Sequence, residues 1–155
     1  MTAGSITTLK SNIKLRTDFI EMMKNGTKRN WTGKKILIAE DIQVNFILLE
    51  AILKTTNVEL LWAKDGKEAV ELCTDHEDID LVLMDINMPV MNGMEATVEI
   101  RKLRKDLPVI AQTAYEMDFG YDELIRAGLT SVMSKPLLPD MTLEAIAEYL
   151  SPESA

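Results

Sequence analysis

Short runs of apolar residues alternate along this chain with longer segments in which apolar residues recur every three or four positions. The short runs lie at 36–39, 58–63, 81–84, 108–112 and 130–134. Continuous apolar runs of this length are typical of strands buried on both faces of a parallel sheet. The segments with helical spacing predict helices at roughly 43–55, 66–76, 93–105, 118–127 and 140–150.

Five strands that alternate with helices predict a doubly wound α/β domain, because each helix can serve as the right-handed crossover between parallel strands. The pattern places this domain at residues 34–151. We expect residues 1–33 to form a basic, partly helical arm or linker, because apolar residues recur at mostly helical intervals before Asn25-Gly26 interrupts them. Residues 152–155 would then be a short tail.

Composition narrows the class of protein. A chain of 155 residues is long enough for one domain of ordinary size, and its 46% apolar and 27% charged residues are typical of a soluble globular protein. Because it lacks a signal peptide and a long apolar segment, we expect a cytoplasmic location without membrane contact. With Cys73 and His76 as its single cysteine and histidine, the monomer cannot build a Cys/His zinc site, so any metal must be held by oxygen atoms.

Charge is distributed unevenly. The net charge is −8, but residues 1–35 carry eight Lys and Arg against two acidic residues, so the remainder is strongly acidic. An acidic body argues against nucleic-acid binding. The basic arm is most simply read as a solvated segment, and binding of that arm to a polyanion or to the acidic body stays open.

Polar side chains follow four of the five predicted strands. Glu40 and Asp41 follow the first strand, Asp85 the third, Thr113 the fourth and Lys135 the fifth. In open parallel sheets the ligand lies beyond the carboxyl ends of the strands, so these groups should converge. Neighbouring carboxylates repel one another unless a cation lies among them, and oxygen ligands suit Mg²⁺. For Glu40 or Asp41 taken singly, capping of the following helix is an equally good explanation.

Four motifs in this order carry a resemblance to a known family: ILIAED at 36–41, LVLMDINMPVMNG at 81–93, AQTA at 111–114 and SKP at 134–136. Together they resemble the response regulator receiver domains of two-component signalling, over about residues 34–150. The resemblance implies the flavodoxin-like strand order 2-1-3-4-5 with five helices. It also implies that Asp85 accepts a phosphoryl group from a phosphohistidine on a histidine kinase or histidine phosphotransfer domain, and that this chain is a signalling domain rather than an enzyme.

The resemblance assigns further roles. Mg²⁺ would be held by Asp41, Asp85 and the backbone carbonyl of Asn87, with Glu40 acting through a bound water.

Other residues would contact the phosphoryl group or respond to its attachment. By the same resemblance Thr113, Ala114 and Lys135 would bind it and respond to it. Asn87 and Tyr115 stand where the family tunes the lifetime of the phosphate, although a loop tyrosine is more often an ordinary packing residue.

One position departs from the family. Receivers usually couple the Thr to an aromatic residue three positions before the Lys, and that position here is Val132. A pseudo-receiver, which keeps the fold as an interaction module without working phosphorylation, is therefore the alternative. A phosphatase of the same fold would need a second acid at position 87, where this chain has Asn. The chain also lacks the glycine loop that nucleotide or flavin binding requires.

Only SPESA follows the last predicted helix, so we expect the domain to act through contacts with other proteins. It could be a stand-alone receiver or the receiver of a hybrid histidine kinase. The basic N-terminal arm favours the hybrid kinase, and a dimerisation role for that arm remains open.

Overall fold

Five parallel strands form one sheet in the order β2-β1-β3-β4-β5 in the computed structural model, which describes residues 29–114 and 120–150 together with Lys14 and Arg16. The strands are β1 (Lys35–Ala39), β2 (Glu59–Ala63), β3 (Leu81–Asp85), β4 (Val109–Thr113) and β5 (Ser131–Ser134). The predicted doubly wound sheet and its order are confirmed.

Helices cover both faces of the sheet. They are α1 (Gln43–Leu53), α2 (Gly66–Asp75), α3 (Gly93–Leu103), α4 (Tyr121–Ala127) and α5 (Pro139–Leu150), with a short 3₁₀ helix at Lys54–Thr56. Buried residues of α1 and α5 pack on one face of the sheet, and buried residues of α2, α3 and α4 pack on the other. No helix in the described ranges has both the length and the apolar character needed to cross a membrane.

Side chains of each central strand alternate between the two cores. In β1, Ile36 and Ile38 join the core under α1 and α5, whereas Leu37 and Ala39 join the core under α2, α3 and α4. All four are fully buried. This two-sided burial explains why the strands read as continuous apolar runs instead of alternating polar and apolar positions.

Two strands extend one residue further than their apolar runs predicted. Asp85 pairs with Gln112, and Thr113 pairs with Ser134, so both polar residues belong to the ladder itself. Backbone hydrogen bonds define the end of a strand, and they continue where the apolar pattern stops. The two polar side chains are therefore held at the rim by sheet structure rather than by a loop.

Several apolar residues of α1 lie on its solvent-exposed side. Val44, Ile47 and Leu48 are between 41% and 72% exposed, while the neighbouring positions Leu49 and Ile52 are buried. This helix is apolar around most of its circumference, so periodicity alone could not select the buried face. The result is an exposed apolar surface next to the carboxyl edge of the sheet.

Trp31 lies in the core, although the sequence placed it in the linker. It is 3% exposed, and its backbone N–H donates to the carbonyl of Thr56 at 2.7 Å. The folded part therefore includes this residue. Lys14 and Arg16 are helical and exposed, and the rest of the predicted arm before residue 29, like the tail 152–155, lies outside the described residues.

Candidate functional site

Three carboxylates converge at the carboxyl edge of the sheet. Glu40 follows β1 directly, Asp41 is the next residue, and Asp85 is the last residue of β3. One oxygen from each side chain lies within 4.8 Å of the others. Glu40 is 0% and Asp85 is 5% exposed, so two of the three charges are almost removed from water.

Lys135, which follows β5, contributes the positive charge. Its side-chain nitrogen lies 3.3 Å from Oδ2 of Asp85 and 3.5 Å from Oε2 of Glu40. The lysine is held in place through its backbone, because its N–H donates to the carbonyl of Thr113 at 2.7 Å. Adjacent strands β4 and β5 thus aim this ammonium group at the phosphoacceptor candidate.

Burial raises the pKa of the Glu40 carboxyl, and the neighbouring negative charge of Asp85 raises it further. Three contacts work in the opposite direction. The backbone N–H of Ile42 donates to Oε1 at 3.1 Å, Lys135 attracts the charged form, and the side-chain amide of Asn45 donates to Oε1 at 3.4 Å. Burial and the nearby charge therefore disfavour the ionised form of Glu40, and a cation at this site would stabilise it.

Asn45 contacts the site but was not predicted from the sequence. A polar residue in the first turn of a mostly apolar helix carries no signal by itself, and only the fold brings its amide against Glu40.

The loop after Asp85 is shaped by hydrogen bonds near that carboxylate. The backbone N–H of Asn87 donates to Oδ1 of Asp85 at 3.2 Å, and the N–H of Gly93 donates to the carbonyl of Ile86 at 2.9 Å. Asn92 then caps α3 by accepting from the N–H of Glu95. Asn92 and Glu95 thus form a capping box that starts the helix.

The remaining predicted residues surround the acids less directly. Thr113 is 3% exposed at the end of β4, and Ala114 is exposed beside it. Ala114 lines a cavity of about 360 Å³ together with Lys135, Gln112, Asn45, Leu48, Pro136 and Leu137. Val132 is half-buried against the core under α2, α3 and α4. Tyr115 lies outside the described residues.

The acidic group has the donor chemistry of a site for a hard divalent cation. Oδ1 of Asp41 is buried and accepts no hydrogen bond from any residue in the described part of the chain. Oε2 of Glu40 is also buried without a hydrogen bond from those residues, although it is ion-paired with Lys135 at 3.5 Å. Buried carboxylate oxygens normally have partners. Oxygen ligands suit Mg²⁺, which keeps several of its waters when bound, so the residues present fit this ion.

An open parallel sheet of this order, with acids gathered at its carboxyl edge, defines the flavodoxin-like class. Within that class the chain belongs to the response regulator receiver family, because the family model described as "Response regulator receiver domain" matches residues 36–147. The resemblance seen in the four motifs is therefore confirmed. The chain is a receiver domain of two-component signalling, and receivers are phosphoacceptor signalling domains rather than enzymes.

Similar proteins include stand-alone receivers and long sensor kinases. The chain is 31% identical over 119 residues to the polar-differentiation response regulator DivK of Brucella ovis, with 76% of this chain and 96% of that protein covered. It is 38% identical over 116 residues to the autoinducer 2 sensor kinase/phosphatase LuxQ of Vibrio harveyi. That match covers 74% of this chain and only 13% of the length of LuxQ.

A solved structure gives a similar result. The receiver domain of sensor histidine kinase PA1611 from Pseudomonas aeruginosa PAO1, crystallised with a magnesium ion coordinated in its active site cleft, superposes with a TM-score of 0.71 at 28% identity. The match covers 78% of this chain and all of that domain.

Proposed function

We propose that Asp85 accepts a phosphoryl group from a phosphohistidine and that this modification switches the contacts of the domain. The observation that carries the proposal is the position of Asp85: it is buried at the end of β3, grouped with two other carboxylates, and lies 3.3 Å from the ammonium of Lys135. Family membership supports the proposal, since receivers use this strand-end aspartate.

The chemistry is an in-line displacement. A carboxylate oxygen of Asp85 attacks phosphorus and forms the new P–O bond, while the P–N bond to the donor histidine breaks and its electron pair returns to the imidazole nitrogen. The product is an aspartyl phosphate. The protein must chiefly position the nucleophile and neutralise charge, and the fixed place of Asp85 in the ladder serves the first need.

Mg²⁺ is the metal that we propose for the site. Asp41, Asp85 and the backbone carbonyl of Asn87 would hold it, with Glu40 acting through a bound water. When bound, the ion neutralises the carboxylates and the charge on the phosphoryl oxygens. The buried oxygen of Asp41 that has no hydrogen-bond partner among the described residues supports this assignment.

Lys135 would contact one phosphoryl oxygen, and Thr113 and Ala114 would contact others through a hydroxyl and a backbone N–H. The exposed side chain of Asn87 stands two residues after Asp85, where it would influence access of hydrolytic water. The same role for Tyr115 follows only from the resemblance.

The exposed apolar surface of α1 supports docking of a phosphodonor protein. Ile42, Val44, Ile47 and Leu48 are 52%, 72%, 50% and 41% exposed, and they lie on the segment that directly follows Glu40 and Asp41. Clustered exposed apolar side chains mark interaction sites. We propose that a histidine kinase or a histidine phosphotransfer domain in the cytoplasm packs on this surface. We also propose that the receiver belongs to a hybrid kinase, in which the residues before Trp31 form the linker.

Intact mass tests the phosphoryl transfer. The wild type and the Asp85→Asn variant are incubated with phosphoramidate, each with Mg²⁺ and with a chelator. We expect one phosphoryl group on the wild type with Mg²⁺ and none on Asp85→Asn. A folded wild type that acquires no phosphoryl group and does not bind Mg²⁺ would overturn the proposal and favour the pseudo-receiver, to which Val132 points.

A second experiment tests the docking surface. Ile47→Lys should slow transfer from phosphorylated histidine phosphotransfer domains while leaving the reaction with phosphoramidate unchanged. Val98→Lys on α3 is the matched control, because Val98 is 43% exposed and lies on the opposite face of the sheet. Equal slowing by both variants would argue against docking on α1.

A further inference from the structure

Trp62 is hydrogen-bonded to the backbone of the acidic turn, Glu40-Asp41. Its indole Nε1–H donates to the carbonyl oxygen of Glu40 at 2.8 Å. On its other side, the backbone N–H of Glu40 donates to the carbonyl of Ala63 at 2.9 Å. The backbone carbonyl and N–H of Glu40 are therefore both hydrogen-bonded to successive residues of β2, Trp62 and Ala63.

The indole takes over where the backbone ladder ends. β1 and β2 pair in register up to Ala39 and Ala63. A parallel ladder that continued would offer the Glu40 carbonyl another backbone N–H of β2. However, β2 ends at Ala63, and Asp65 already caps the next helix. The side chain of Trp62 supplies the donor that the backbone no longer provides.

The position of the indole is itself well defined. Its ring stacks on Phe46 of α1, with centroids 4.5 Å apart and planes 11° from parallel. The ammonium of Lys64 lies 5.2 Å from the centroid of the indole ring. Stacking and the cation–π contact restrict the ring, so the N–H points at one place. Trp62 thus connects β2, the acidic turn and the first helix.

We infer that Trp62 is a positioning residue for the metal site: its N–H fixes the Glu40 peptide and thereby the placement of the Glu40 and Asp41 carboxylates. The inference rests on the proposed Mg²⁺ site. Groups that orient metal ligands through hydrogen bonds have large effects on affinity although they do not touch the metal. A tryptophan that merely covered the edge of the sheet would contribute to stability without any effect on metal affinity.

The decisive variant removes the N–H and keeps the ring. Trp62 is replaced by β-(3-benzothienyl)alanine, in which sulfur takes the place of the N–H within the same bicyclic shape. Phe46→Leu is the matched control, since it removes the stacking partner and leaves the hydrogen-bond donor. Two measurements give the metal affinity of each protein. Loss of the free-ion signal in electron paramagnetic resonance reports the binding of Mn²⁺, and the Mg²⁺-dependent rise in Tm reports the binding of Mg²⁺.

A single-tryptophan protein adds a spectroscopic readout. Trp31→Phe leaves Trp62 as the one tryptophan of the chain, since the sequence has two. We expect its indole fluorescence to change on addition of Mg²⁺, and to stay unchanged when Asp85→Asn and Asp41→Asn are introduced together.

The benzothienyl protein should bind Mn²⁺ and Mg²⁺ about tenfold more weakly than the wild type. Phe46→Leu should change affinity much less, because it keeps the indole donor, the contact with Lys64 and an apolar side chain beside the ring. Unchanged affinity in the benzothienyl protein would overturn the inference, and so would a lower Tm with an unchanged metal-dependent rise. A wild type that binds neither ion would instead overturn the proposed site and this inference with it.

Discussion

The side-chain nitrogen of Lys135 lies 3.3 Å from Oδ2 of Asp85 and 3.5 Å from Oε2 of Glu40. Both carboxylates are almost fully buried, whereas the lysine side chain is 26% exposed. Two buried negative charges at such a short separation repel each other unless a cation lies beside them. The ammonium of Lys135 therefore stabilises the two carboxylates in a site that Mg²⁺ would later share.

Lys135→Met should therefore destabilise the metal-free protein. Loss of the ammonium leaves two buried carboxylates close together without a positive charge beside them, and we expect the free energy of unfolding at neutral pH to fall by about 2 kcal/mol. Urea unfolding in chelator measures the change. Addition of Mg²⁺ should recover part of it, because the ion supplies the missing positive charge.

Lys102→Met in α3 is the control, since this exposed lysine forms a surface ion pair with Glu99 at 2.8 Å. If Lys135→Met were as stable as the wild type in chelator, the two carboxyl groups would not repel each other in the folded state.

The arrangement of elements follows from local pattern to a large extent. Continuous apolar runs and helical spacing predict all five strands, and the rule that parallel strands end at one edge predicts that Glu40, Asp85 and Lys135 meet. The structure places them within contact distance. Both predictions depend on information carried within single elements together with one general rule of topology.

Contacts that depend on pairing between distant elements were not predictable. The bond from Trp62 to Glu40 requires the register of β1 against β2 and the end of β2 at Ala63. Burial of Trp31 requires its contact with the turn after α1. Neither feature has a signature in the neighbouring residues, because the partner lies more than twenty positions away.

Gly93 occupies a position with no room for a side chain. A Cβ there would collide with the carbonyl oxygen of Asp85 and would lie 2.9 Å from Cγ of Met84. Gly93→Ala should lower the free energy of unfolding by about 2 kcal/mol, because α3 must move away from the strand that carries Asp85. Thermal or urea unfolding checks this value.

Gly120→Ala provides the matched comparison. Gly120 has a φ of −76°, and no atom of the described residues lies within 4 Å of the position that an alanine Cβ would take, so an alanine fits without strain. If the two alanine variants had the same stability, close packing of Gly93 against β3 would not be the reason for its glycine.

The side-chain amide of Gln112 is buried. It is 0% exposed, and among the described residues neither its amide oxygen nor its amide nitrogen is bonded. An amide without partners in the interior is costly, and leucine has a similar size. We therefore expect Gln112→Leu to raise the free energy of unfolding by about 1–2 kcal/mol, as measured by urea unfolding.

Gln43→Leu, at an exposed position of α1, should leave stability nearly unchanged. A less stable Gln112→Leu protein would indicate that the amide of Gln112 is hydrogen-bonded in solution.

Cys73 should make stability fall with pH in the alkaline range. Burial raises the pKa of its thiol to about 11, and Arg104 lowers it slightly. The folded protein therefore keeps a proton that the unfolded chain loses above about pH 9, so the free energy of unfolding falls by about 2–3 kcal/mol as pH rises from about 9 to about 11. Urea unfolding of the wild type and Cys73→Ala across this range isolates the effect, since other titrating groups are common to both. Identical pH dependence of the two proteins would show that the thiol ionises as readily in the folded state as in the unfolded chain.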